Sequence, residues 1–194
     1  MPKEAKSTYK PDIHHRRSIR LKGYDYSQAG LYFITICTHE RACLFGNIIH
    51  NTLSEMKLND AGKFADECWR AIPQHFPNVI LHAYIIMPNH IHGIIELNWN
   101  GMNVGSNNYS PQPPPQQPFA SPSKTIGSVI RGFKIGVTKW FQQNTCIKSV
   151  WQRNYYEIII RDAQSHQYIT DYIISNPVKW KNDKFHTNSI LNHP

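Results

Sequence analysis

Two apolar runs separated by a Pro-Asn pair limit the folds open to this chain more than any other feature. Val79–Met87 (VILHAYIIM) and His90–Leu97 (HIHGIIEL) are rich in β-branched and aromatic residues and flank Pro88-Asn89, which reads as two strands and a turn, hence a sheet hairpin. Leu31–Thr38 (LYFITICT) has the same character and predicts another buried strand. Between these strands, apolar or small residues at Met56, Leu58, Ala61, Phe64, Ala65, Cys68, Trp69 and Ile72 recur at three- and four-residue spacing. Pro73 follows, so the spacing predicts an amphipathic helix over Ser54–Ile72. Ser123–Phe141 predicts a second helix, with Lys124, Arg131, Lys134 and Lys139 among its apolar positions. Trp151–Ile160 predicts a further strand, and Ala163–Ser175 a last helix that Asn176-Pro177 ends. The order strand, helix, strand, strand, helix, strand, helix is an α+β plan. It is the ferredoxin-like split βαβ, an antiparallel sheet with helices on one face, plus a C-terminal helix.

The expected organisation is a basic N-terminal arm over residues 1–22, a single domain over 23–181 and a tail over 182–194. Within the domain, 98–123 is Asn-, Gly-, Ser-, Gln- and Pro-rich and holds six of the thirteen prolines, so it reads as a flexible insertion. The net charge is +8, from 21 Lys+Arg against 13 Asp+Glu, and there are 8 Phe, 5 Trp and 10 Tyr. Cations release counterions from phosphates and aromatic rings stack on bases, so this balance favours a polyanionic partner. No apolar stretch approaches the ~20 residues needed to span a bilayer, and Met1–Lys10 lacks the apolar core of a secretory signal. No membrane association and a cytoplasmic location are the expectation. Cys37, Cys43, Cys68 and Cys146 form no C-x-x-C pair, which points to reduced packing residues.

The chemistry is expected at His90 and His92. On a strand, side chains at i and i+2 leave from one face, so the two imidazoles project together while Ile91 points the other way. That is a two-nitrogen metal platform, or else a pair of histidines without a ligand. On the last helix, Tyr172 and Asn176 are four residues apart and share a face. Alone they would be a packing tyrosine and a helix-terminal Asn. Tyr155 and Tyr156 also fall near a sheet end, but their i+4 positions are Ile159 and Ile160, which offer no ligand atom.

Taken together, MPNHIHG, YFITICT, GSVIRGFKIGVTKWF, VWQRNYYE with IIR, and DYIISNPVKW resemble the single-tyrosine transposases of the HUH nuclease superfamily, above all the bacterial REP-associated tyrosine transposases. The resemblance covers residues 16–181 apart from the Pro-rich insertion. It implies His90 and His92 as the metal-binding pair, Asn176 as a further ligand and Tyr172 as the nucleophile, with Tyr156 as second choice. Ile158 departs from the pattern, since related sequences often carry a His there.

The cofactor so implied is Mg²⁺ or Mn²⁺. The implied reaction is nicking and strand transfer of single-stranded DNA through a 5′-phosphotyrosine. Imperfect palindromes folded as hairpins, with a flanking single-stranded tetranucleotide, would be the target, and the protein would act as a monomer or a homodimer. Arg131, Lys134, Lys139, Arg153 and Arg161 are the phosphate-contact candidates, and Trp140, Trp151, Tyr155 and Trp180 the stacking candidates. The alternative is a DNA-hairpin-binding protein that does not cut, with a regulatory or structural role. A zinc hydrolase fits less well, because no third His, Cys or carboxylate stands at a recognisable ligand spacing.

Overall fold

The computed structural model describes residues 28–50, 54–98 and 125–186; the expected arm, nearly all of the insertion and the end of the tail lie outside the described residues. The elements are β1 (Gly30–Cys37), β2 (Gly46–His50), β3 (Ser54–Leu58), α1 (Asp60–Arg70), α2 (Ile72–His75), β4 (Val79–Ile86), β5 (His90–Leu97), α3 (Ile126–Asn144), β6 (Tyr156–Ile160) and α4 (Ala163–Ser175). A four-stranded sheet has the order β4-β5-β1-β6, and every neighbouring pair is antiparallel. Counting only its own strands, that is the 2-3-1-4 order of the split βαβ plan, so the chain is an α+β protein of the expected class.

Strict alternation along β1 and β5 gives the sheet two different faces. Tyr32, Ile34, Ile36, Ile91 and Ile95 are fully buried on one side, against α1 and α3, whose Ala65, Trp69, Ile126, Val129, Ile130, Phe133 and Val137 complete the main core. Each large apolar side chain buried this way contributes about 1.5–3 kcal/mol. Gly93 points to that side as well, where a Cβ would stand 2.3 Å from the Trp69 ring; only a residue without a side chain lets the indole reach β5. The other face carries Leu31, Phe33, Ile85, Ile94 and Ile160, packed with Ile169, Tyr172 and Ile173 of α4. The last helix therefore lies across the sheet from the other two, and His90, His92 and Thr35 share its side by the same alternation.

Two local expectations are corrected. Ser54–Leu58 is a strand, not the first turns of a helix; it pairs with β2 in a separate two-stranded sheet that the sequence reading missed. Ser-Glu-Met-Lys-Leu alternates with a period of two as well as fitting a helix. What decides is Asn59, whose Oδ1 accepts from Gly62 N at 2.9 Å and starts α1 at Asp60. The strand expected from Trp151 begins only at Tyr156, because Trp151 makes a single bridge to Thr38 and its indole N–H donates to Lys134 O. The other predicted strands and helices appear within a few residues of their expected ends, and α4 matches its expected span. No disulfide joins the four cysteines. Among the described residues no helix is long and apolar enough to cross a membrane.

Candidate active site

His90 and His92 open β5, next to β1 on the α4 side of the sheet, and their ring centroids are 4.5 Å apart. Both are buried, as is Asn176 at the C-terminal cap of α4. Each imidazole is held by its Nδ1. Asn89 Nδ2 donates to Arg41 O at 3.1 Å and to Phe185 O at 2.7 Å, which turns Asn89 Oδ1 toward His90 Nδ1, 2.9 Å away. His90 therefore donates from Nδ1 and keeps its lone pair on Nε2. His92 Nδ1 lies 2.8 Å from the Thr35 hydroxyl, and its Nε2 lies 3.2 Å from the Tyr172 hydroxyl, which can donate to it.

After α4 the chain turns through Trp180–Asn182 and brings Asp183 and Phe185 back over the site. Asp183 Oδ1 accepts from Phe185 N at 2.7 Å, and Oδ2 accepts from Asn176 Nδ2 at 3.2 Å. One carboxylate oxygen of Asp183 and one ring nitrogen of each histidine lie within 4.8 Å of one another. The Phe185 ring covers both imidazoles, with centroids 4.7 Å from His90 and 5.9 Å from His92.

Burial keeps both histidines neutral. It lowers His90 well below the usual imidazole range, helped by His92, Lys184 and Arg41, and it lowers His92 to about 3, helped by Lys184. Neutral imidazole is the form that binds a metal. Burial raises Tyr172 above the ordinary phenol range, and the charge of Asp183 adds to the rise; a hydrogen bond from Asn176 works against it.

Two buried atoms in this cluster have no hydrogen-bond partner, His90 Nε2 and Asn176 Oδ1. Leaving a buried polar atom unsatisfied costs about 1–3 kcal/mol. Both are lone-pair donors, so one cation among His90, His92, Asn176 and Asp183 would satisfy both. Two imidazole nitrogens, an amide oxygen and a carboxylate form a donor set that suits a divalent cation.

The fold thus brings His90, His92, Asn176 and Tyr172 together. It does not bring Tyr156 to the histidines: Tyr156 is on the same face of the sheet but on the far side of β1, half exposed. Arg131, Lys134, Lys139 and Arg153 meet in a groove of about 830 Å³, with Thr125 and Tyr155. It runs along α3, on the opposite side of the sheet from the imidazoles. Within it the Lys134 ammonium donates to Gln152 O at 2.8 Å and Asn154 O at 3.1 Å, and burial lowers its pKa to about 8. Arg161 is apart from the groove, exposed just beyond β6. Trp140 and Trp151 pack against Phe64 and Phe133, and Trp180 against His90.

Sequence reasoning missed Thr35, Asn89, Asp183 and Phe185. Asn89 was legible only as a turn residue. Asp183 and Phe185 follow in a polar stretch where the single aromatic was the one available signal.

No protein-family model matches the chain. A protein of Haemophilus influenzae described as an uncharacterized protein is 49% identical over 179 residues, which span 92% of this chain and 97% of that one. Among solved structures, that of a REP-associated tyrosine transposase bound to a REP hairpin is similar with a TM-score of 0.55 and 19% identity, over 85% of this chain and 76% of that one. The second likeness is one of fold.

Proposed function

We propose that this chain, which belongs to one family with the Haemophilus influenzae protein and has the fold of a REP-associated tyrosine transposase, nicks and rejoins single-stranded DNA through Tyr172 with the help of a divalent cation. One observation carries the reading. The two unpartnered buried lone pairs, His90 Nε2 and Asn176 Oδ1, belong to the cluster in which the Tyr172 hydroxyl lies 3.2 Å from His92 Nε2. A protein that only bound DNA would gain nothing from leaving two ligand atoms unsatisfied beside a phenol.

His90 and His92 through Nε2, Asn176 through Oδ1 and Asp183 through its carboxylate are the residues that would hold Mg²⁺ or Mn²⁺. Such an ion supplies positive charge to the non-bridging oxygens of a phosphodiester and to the oxygen that departs. Thr35 and Asn89 keep both Nε2 atoms aimed inward. Tyr172 is the nucleophile. Its phenol oxygen bonds to phosphorus while the bond from phosphorus to the 3′ oxygen breaks; the phenol proton leaves to water, and the 3′ oxygen takes a proton to become a free hydroxyl. The product is a 5′-phosphotyrosine ester, which a second 3′-hydroxyl can attack in the reverse sense, so the strand is joined to a new partner without ATP. Hairpin DNA with a short single-stranded flank is the proposed substrate, as the hairpin-bound transposase of the same fold suggests. The groove of Arg131, Lys139 and Arg153 is the proposed seat of its phosphates, and Arg161 is a separate contact.

The test is an end-labelled hairpin incubated with the protein and Mn²⁺, then run on a denaturing gel. A covalent protein–DNA band that disappears in Tyr172→Phe is expected. A band that survives in Tyr172→Phe and vanishes in Tyr156→Phe moves the nucleophile to β6. Tight binding with no band under any metal supports the non-cutting hairpin binder instead.

A further inference from the structure

Cross-strand register draws a line over the α4 face of the sheet. Thr35 is opposite His92 on one side and Tyr156 on the other, so His92, Thr35 and Tyr156 form one row across β5, β1 and β6. In the next row, Phe33 is opposite Ile94 and Ile158. The last helix packs on β4 and β5 and reaches Ile160, but it leaves the middle of β6 uncovered: Tyr156 is 50% exposed and Ile158 57%. Phe33 joins this open strip to the site, with its ring centroid 5.2 Å from His92 and 6.1 Å from Tyr172. The result is an aromatic and apolar shelf that begins where Tyr172 and the imidazoles end. Two strand spacings, roughly 10 Å, separate the backbone at Tyr156 from that at His92.

The surroundings of the shelf say what it holds. Among the described residues β6 pairs only with β1, so it is a sheet edge. Consecutive residues of a strand face opposite sides. Tyr155 accordingly lines the basic groove on the α3 side, while Tyr156 stands on the site side. Exposed Arg153 and Arg161 bracket the strand, and the chain as a whole carries +8. A purely apolar protein partner would not call for cations on both flanks. A nucleic-acid strand would, since its phosphates meet the arginines and its bases need a flat apolar surface. Aromatic rings on an open four-stranded sheet are a recurrent stacking platform for unpaired bases.

We infer that Tyr156, with Ile158 and Phe33, is a base-stacking subsite: a single-stranded segment leaves the basic groove, crosses the β6 edge and lays an unpaired base on Tyr156 next to the phosphate presented to Tyr172. This rests on the strand-transfer reading for its choice of ligand, and it gives Tyr156 a binding role that needs the ring and not the hydroxyl.

The experiment measures binding, not cleavage, so the two readings fail separately. Fluorescently labelled oligothymidylate is titrated with the full chain in EDTA at fixed salt, and anisotropy is read for wild type, Tyr156→Ala, Tyr156→Phe and Tyr168→Ala. Tyr168 is an exposed tyrosine on α4 and serves as the control. Loss of one stacked base weakens affinity by about 5- to 150-fold, so Tyr156→Ala is expected to fall in that range, with Tyr156→Phe and Tyr168→Ala within about twofold of wild type. Circular dichroism and thermal melts establish that each variant is folded. The inference is overturned if folded Tyr156→Ala binds as wild type does. It is overturned equally if Tyr156→Phe is as weak as Tyr156→Ala. If DNA affinity is unchanged while Tyr156→Ala alters the sedimentation mass, the shelf is a surface between copies of the chain and the inference is wrong.

Discussion

In the metal-free protein, the two buried imidazoles make stability fall with acid over a defined range. His92 is held neutral down to about 3 in the folded chain, against an ordinary value of 6.5, and His90 is shifted in the same direction. As pH drops below about 6.5 the unfolded chain takes up protons that the folded chain refuses, so stability is fully present above that pH and is lost between there and the folded value. At pH 5 the gap for His92 is 1.5 units, and at about 1.4 kcal/mol per unit this one residue removes about 2 kcal/mol relative to pH 8; His90 adds a loss of the same sign. Urea unfolding in EDTA at pH 8, 7, 6 and 5 reads the effect. His92→Gln, which cannot titrate, is expected to lose about 2 kcal/mol less than wild type over the same interval. Ring-proton NMR of wild type gives an independent reading, with His92 expected not to titrate between pH 8 and 5. Equal pH slopes in the two proteins, or a His92 resonance that titrates near 6.5, would refute the claim that burial keeps this ring neutral.

Three further outcomes follow from the packing around the site. Gly93→Ala drives a methyl into the Trp69 ring on the back of β5; overpacking of this kind costs about 1–3 kcal/mol. A Tm lower by about 2–12 °C in a thermal melt is expected, and an unchanged Tm contradicts the close approach. Asp183→Asn removes the carboxylate of the cluster and is expected to weaken Mn²⁺ binding by roughly 10- to 100-fold in calorimetry, whereas wild-type affinity would show that Asp183 is not a ligand. Phe185→Ala uncovers the imidazoles, so carbethoxylation of His90 and His92, followed by mass spectrometry, is expected to run several-fold faster than in wild type. An unchanged rate would mean that something else shields them.

What could be read in the sequence was what one element encodes by itself. A strand with His at i and i+2 must put both rings on one face, and a helix with Tyr and Asn at i and i+4 must put both on one side, wherever the two elements go. The order of the strands and helices then left few sheet topologies, and the split βαβ order is the one found. The hairpin of β2 and β3 escaped because five alternating residues fit two periods at once. Its deciding signal, the Asn59 cap, lies inside the Ser54–Ile72 stretch, between Leu58 and Ala61, where the apolar spacing runs unbroken across it.

The parts of the site that no local pattern could show are the ones that close it. Asn89 is adjacent to His90, yet its role depends on two carbonyls, Arg41 O and Phe185 O, the second of them 96 residues away in the chain. Those two bonds commit the amide nitrogen, and only for that reason does the amide oxygen face His90. The same return of the chain sets Asp183 beside Asn176 and Phe185 over both rings, so the segment after α4 fixes the tautomer of His90, supplies a carboxylate and covers the cluster. In the strand-transfer reading proposed above, a substrate phosphate would have to reach atoms that are buried in this arrangement, and the side chain that covers both imidazoles belongs to this segment. Cover of the cluster and the tautomer of His90 are therefore coupled through one residue: the Phe185 ring lies over both imidazoles, and the Phe185 carbonyl oxygen holds the Asn89 amide that faces His90.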